Sequence, residues 1–253
     1  MVNESLARIL APTIKRSLAD EIADRLRNAI LSGQLAPEEP LREAVLSELM
    51  GVSRGPIREA LSHLEREGLV VVTPTGRTYV ARLSQHDLDE VFSLRKALER
   101  LAIERACMYA APKDLAELQN VVDDMAAAID RGISEKEAAE LDLRFHDVVY
   151  QASRHQRLLN YWTTLRPQVY VMMLSRNVAG ADFRDAAVRG HQDILDTIRS
   201  GNNQRAQDLI EGHLRVAYDL VSRSYGQPCA DPGQDCPPDD PIGQPMKRDR
   251  VIA

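Results

Sequence analysis

The 253-residue sequence predicts a mainly α protein, an N-terminal winged helix-turn-helix followed by a six-helix antiparallel bundle. Three observations carry that reading. Helical periodicity fills residues 84–225, with short breaks at Pro112, Gly132, Gly180 and Gly201. The convincing β signal, Leu69–Thr73 and Thr78–Val80 about a Pro74-Thr75-Gly76 turn, comes before that stretch and reads as a hairpin. Residues 226–253 hold six of the thirteen prolines and few large apolar groups, too few to offset ordering entropy, so a disordered tail is expected. The expected units are therefore 1–82, 83–225 and 226–253.

In chain order, two helical patterns precede Gly51-Val52-Ser53 and a third follows it. The second, near 43–50, offers Leu46 and Leu49 to a core, and Gly51 suits the turn after a helix C-terminus. Ser53 is a good N-cap, Pro56 is acceptable in the first turn, and Ile57, Leu61 and Leu64 form the inward stripe of the next helix. The hairpin at 69–80, tipped by Gly76 and Arg77, follows as a wing. The bundle helices are expected near 84–110, 112–131, 134–152, 155–177, 181–200 and 202–225. Their short connections make neighbours antiparallel.

Composition narrows the function classes. With 44% hydrophobic and 28% charged residues the chain has an ordinary soluble composition, and no apolar run of 18 residues is present to span a membrane. The N-terminus lacks the pattern of a secretory signal, and three cysteines cannot build a disulfide framework, so a cytoplasmic protein is expected. The net charge is −6, unevenly spread: residues 1–82 carry 11 basic and 11 acidic groups, 83–225 carry 18 and 22, and the tail 3 and 5. Nucleic acid, if bound, must be met by a local arrangement of arginines rather than by bulk charge.

Arg54 and Arg58, four residues apart, share a face of the third helix away from its core leucines. Beside the free N–H groups of that helix start, they have the geometry of a recognition helix entering a major groove. The plainer alternative is surface ion pairing with Glu59 or Glu65. Helix, glycine turn, capped helix and wing in this order favour the recognition helix.

The segment GVSRGPIREALSHLEREGL, Gly51 to Leu69, resembles the winged helix-turn-helix of the GntR family of bacterial transcription regulators, over about residues 20–82. The resemblance implies a dimer that binds an inverted-repeat operator in double-stranded DNA. It places Ser53, Arg54, Gly55, Pro56 and Arg58 where the family touches phosphates and bases. Three positions depart from the family pattern: Ala44 stands where an arginine is frequent, with Arg42 as a displaced substitute. Gly55 replaces the usual threonine, and Gly76-Arg77 stands where the wing commonly reads Arg-Gly.

In the bundle, His191 lies on the stripe Ala187, Val188, Ile194, Leu195, Ile198, and His213 on the stripe Leu209, Ile210, Ala217, Leu220. Both therefore point inward, where an unpaired imidazole is costly. Asp142 and His146, at i and i+4, share a face of a third helix. One carboxylate and three imidazoles suit a divalent transition metal ion such as Zn, Ni, Fe or Mn; independently hydrogen-bonded core histidines are the alternative. His63, His86 and His155 read as ordinary flanking or helix-start residues.

An all-helical region after such a head, with Asp-x-x-x-His and then two single histidines on later helices, is similar to the FCD effector domain of the FadR subfamily, over roughly 88–220. Six helices fit its VanR-like group. The resemblance implies one metal ion per chain on Asp142, His146, His191 and His213, with positions open for a small carboxylate effector. Arg95, in the opening VFSLRKALE, matches an arginine of the family's first helix and is a candidate carboxylate partner, or else an exposed partner of Glu99. Gly190 departs from the family, where an acid commonly precedes the histidine. The function expected is a ligand-controlled DNA-binding repressor and not an enzyme, for no nucleophile motif, separate general base or phosphate loop is present. The alternatives are a metal-dependent enzyme or a plain metal-binding bundle.

Overall fold

The computed structural model describes residues 17–174 and 181–225. The expected tail at 226–253, and positions 175–177 of the fourth bundle helix, lie outside the described residues. Among the described residues the head contains α1 (Leu18–Leu31), α2 (Glu43–Met50), α3 (Arg54–Arg66), β1 (Val70–Val72) and β2 (Thr78–Val80). The bundle follows as α4 (Gln85–Tyr109), α5 (Pro112–Asp130), α6 (Glu135–Ala152), α7 (Gln156–Met173), α8 (Ala181–Ser200) and α9 (Asn203–Tyr225).

Local chemistry sets these boundaries. Ser17 and Ser84 form capping boxes with Asp20 and Asp87, Ser134 accepts the Glu137 N–H, and Pro112 opens α5. Ser53 occupies the N-cap of α3 but makes no side-chain capping bond, contrary to expectation. Gly51 closes α2 in the left-handed region at φ 65°. The inward stripe of α2 runs Leu46–Met50 and continues at Val52. That places Leu49, expected in the core, 77% exposed.

The head core gathers Ile22, Leu26, Leu41, Ile57, Leu61, Leu64, Leu69, Val70 and Val80. The hairpin pairs Val70 with Val80 and Val72 with Thr78 in antiparallel register. The segment before α2 lies along the free edge of β2: Leu41 N–H donates to the Thr78 carbonyl at 2.8 Å and Val80 N–H to the Glu39 carbonyl at 2.9 Å.

The bundle has its own core, in which Trp162 stacks on Tyr150 at 4.6 Å and its indole N–H donates to Asp147 at 2.6 Å. Leu31 packs against both cores. So does α7, by alternate faces: Val169 and Met172 belong to the bundle core, while Val171 packs on the head core. Gly68, at φ 67°, lies against the Gln168 side chain, where a Cβ would come within 2.5 Å of Nε2. No helix among the described residues is long and apolar enough to cross a membrane.

Candidate metal centre and nucleic-acid interface

Three helices bring the acid and the three histidines together. Asp142 and His146 stand one turn apart on α6, His191 comes from α8 and His213 from α9. One ligand atom from each lies within 4.8 Å of the others. The Nε2 atoms of His146, His191 and His213 stand 3.5, 3.7 and 3.9 Å from the Asp142 carboxylate.

The opposite ring nitrogens fix the tautomers. His146 Nδ1–H donates to Glu99 Oε2 at 2.6 Å, and His191 Nδ1–H donates to the Ala187 carbonyl at 2.6 Å. Each ring therefore turns an Nε2 lone pair toward Asp142, the orientation in which a carboxylate or carbonyl holds a metal-ligating imidazole. The buried Nε2 atoms of His146 and His213 have no hydrogen-bond partner among the described residues. Burial holds His213 well below the ordinary imidazole value, so it is neutral at neutral pH. Two buried imidazole nitrogens aimed at a carboxylate fit a divalent ion.

A buried charge chain backs this group. Glu99, fully buried, also accepts from Arg95 Nε at 2.7 Å, and Arg95 Nη2 lies 3.7 Å from Asp142. Burial works against ionising Glu99, but the charge of Arg95 and the hydrogen bonds donated by His146 and Arg95 outweigh it and hold its carboxyl low. Arg95 does pair with Glu99, as one expectation had it, but in the interior, with its guanidinium 5.7 Å from the Trp162 ring centre. The sequence reading missed Glu99 as the carboxylate behind His146. Its i, i+4 spacing from Arg95 was the available signal.

The remaining histidines are elsewhere. His155 caps α7 by accepting the Leu158 N–H at 3.2 Å, His86 is exposed beside Glu90, and His63 lies near Asp20. Gly190 faces His213, where a Cβ would stand 3.4 Å from Nδ1, so the acid usual at that position would abut this ring.

On the head, Ser53, Arg54, Gly55 and Arg58 are exposed at the start of α3, with Pro56 half-buried. Arg58 makes a two-point pair with Glu43, both bonds 2.9 Å, rather than with Glu59 or Glu65. That bond, helped by the charges of Arg58 and Arg54, draws the Glu43 carboxyl below its usual range. Arg42, exposed at the α2 N-cap next to Glu43, belongs to the same patch, whereas Gly76 and Arg77 form the separate tip of the hairpin. A Cβ on Gly55 would meet open space, so packing does not demand glycine there.

Residues 18–80 match the bacterial regulatory proteins of the gntR family, and residues 90–216 match the FCD domain. The chain belongs to the GntR family. This GntR-family chain is 30% identical over 220 residues to an uncharacterized HTH-type transcriptional regulator in an unstable DNA locus of Streptomyces ambofaciens, covering 85% of this chain and 89% of the relative. It is 26% identical to the HTH-type transcriptional repressor GlaR of Escherichia coli, over 79% of this chain and 93% of the relative. The fold is also that of E. coli McbR, with a TM-score of 0.70 at 22% identity, covering 83% of this chain and 100% of that one. The chain is thus a transcriptional regulator with an FCD effector-binding domain.

Proposed function

We propose that residues 1–82 bind an inverted-repeat operator as half of a homodimeric repressor, and that residues 83–225 hold one divalent transition metal ion on Asp142, His146, His191 and His213. A small carboxylate effector joins that centre, aided by Arg95, and shifts operator affinity by binding two states of the dimer unequally. Ser53, Arg54, Gly55, Pro56 and Arg58 meet the major groove, Arg42 lies beside them, and Gly76 and Arg77 reach DNA from the wing. The repressor named among the relatives supports the sign of regulation.

The observation that carries the metal reading is the convergence of buried imidazoles whose outer nitrogens are already bonded. An unsatisfied buried acceptor costs about 1–3 kcal/mol, and a single ion removes that cost at His146 Nε2 and His213 Nε2 together. When bound, the ion supplies an electrophilic centre that takes a carboxylate oxygen. Elemental analysis of gently purified protein should find one ion per chain, and chelation should lower Tm. Saturation at 100 times Kd contributes about 2.7 kcal/mol. His191→Ala should weaken metal binding while effector-free operator binding persists. Protein that contains no metal and shows no thermal shift with Zn, Ni or Mn would leave only hydrogen-bonded core histidines.

A further inference from the structure

The three imidazoles of the bundle are not held alike. His146 Nδ1 is bonded to the buried Glu99 carboxylate and His191 Nδ1 to the Ala187 carbonyl four residues back, both at 2.6 Å. His213 Nδ1 makes neither kind of bond among the described residues, not to a carboxylate and not back to Leu209, four residues earlier on α9. His213 is also the least buried of the three. Its side chain is 12% exposed, against 0% for His146 and 1% for His191.

The cause lies on the neighbouring helix. Gly190 of α8 faces the His213 ring, and a Cβ there would stand 3.4 Å from Nδ1, an ordinary contact. A position within reach of that nitrogen therefore carries no side chain, and so no acceptor.

An outer hydrogen bond does two things for a metal-ligating imidazole. It fixes the tautomer that leaves Nε2 its lone pair, and it makes that nitrogen the stronger donor. His146 and His191 have both advantages. His213 has neither, although its Nε2 stands 3.9 Å from the same Asp142 carboxylate. Its ring can turn or change tautomer without breaking a hydrogen bond at Nδ1.

From this inequality we infer that His213 is the labile ligand of the metal centre. Asp142, His146 and His191 retain the ion, His213 attaches and detaches, and the bundle exchanges its ion with free divalent transition metal. The inference rests on the metal reading above and adds that metal supply is a signal in its own right. Effector-competent protein then exists only where free metal suffices to load a centre weakened at one ligand.

Titration of the full chain with Zn²⁺ against a chromophoric chelator tests this, with release timed after mixing into excess EDTA. Gly190→Asp offers a carboxylate to Nδ1. It should tighten Zn²⁺ binding and slow release by roughly tenfold or more, the scale of such outer contacts. Gly190→Ala, which adds a Cβ but no acceptor, should leave both unchanged. The gain from Gly190→Asp should vanish in the His213→Ala background, which separates a bond to the ring from an added charge. His213→Ala should weaken binding by a smaller factor than His191→Ala, a comparison that stands even if Gly190→Asp does not fold. Folded Gly190→Asp binding no more tightly than the parent chain, a gain that survives removal of His213, or His213→Ala as damaging as His191→Ala would each overturn the inference. In those cases one ion still binds per chain and the metal reading stands, whereas a parent chain that takes up no Zn²⁺ overturns both.

Discussion

Replacing Glu99 by glutamine keeps its shape and removes its charge at the point where two buried groups depend on it. Glu99 is fully buried, bonded to Arg95 Nε at 2.7 Å and to His146 Nδ1 at 2.6 Å. Removing one partner of a buried ion pair costs about 3–5 kcal/mol, because the surviving charge stays out of water. Here Asp142, 3.7 Å from Arg95 Nη2, compensates in part, and the amide oxygen still accepts one bond, so the low end, about 3 kcal/mol, applies. At roughly 2–4 °C per kcal/mol for a chain of this size, scanning calorimetry should show Tm falling by about 6–12 °C. His146 also loses its carboxylate acceptor, which lowers metal affinity by roughly 10–100-fold in competition titrations. Unchanged Tm would refute the account of the buried charge chain. A lower Tm with unchanged metal affinity would refute the role of Glu99 behind His146.

Arg54→Ala and Arg58→Ala should each lose about 1–3 kcal/mol of operator discrimination in gel-shift titrations while the far-ultraviolet spectrum is kept. Glu43→Gln should strengthen operator binding by freeing Arg58 from its two-point pair, and the gain should vanish in the Arg58→Ala background, a coupling that a double-mutant cycle reads directly. Gly68→Ala should destabilise the protein by about 1–2 kcal/mol in urea unfolding, from left-handed backbone strain alone. Gln168→Ala in that background should restore only what the side-chain clash adds.

The parts of the structure legible in the sequence were those fixed by near neighbours. Gly51, Ser53 and the Ile57–Leu61–Leu64 stripe mark α2, the turn and α3 within a dozen residues, and Pro112, Gly132 and Gly201 mark bundle helix ends in the same local way. The ligand-type set was also legible, because Asp142 and His146 share a helix face and the other two histidines interrupt apolar stripes. Glu99 was not. A Glu four residues after an Arg is the ordinary pattern of a solvated helix face, and only α6 and α7, 40 to 80 residues further on, close over it. Leu49 misled for the opposite reason. An apolar residue in an eight-residue helix implies burial, but the Leu46–Met50 stripe already meets the head core.

The two faces of α7 carry a thermodynamic obligation. Val169 and Met172 belong to the bundle core, while their neighbours Val171 and Gln168 rest on the head, so one helix is common to both. If an effector bound in the bundle alters operator affinity by some factor, operator DNA must alter the affinity for that effector by the same factor. The operator is then itself a ligand that tunes the effector site. Protein seated on DNA then responds to a different concentration of the effector than protein free in solution. A dose–response curve measured without DNA therefore reports a threshold other than the one that governs the gene.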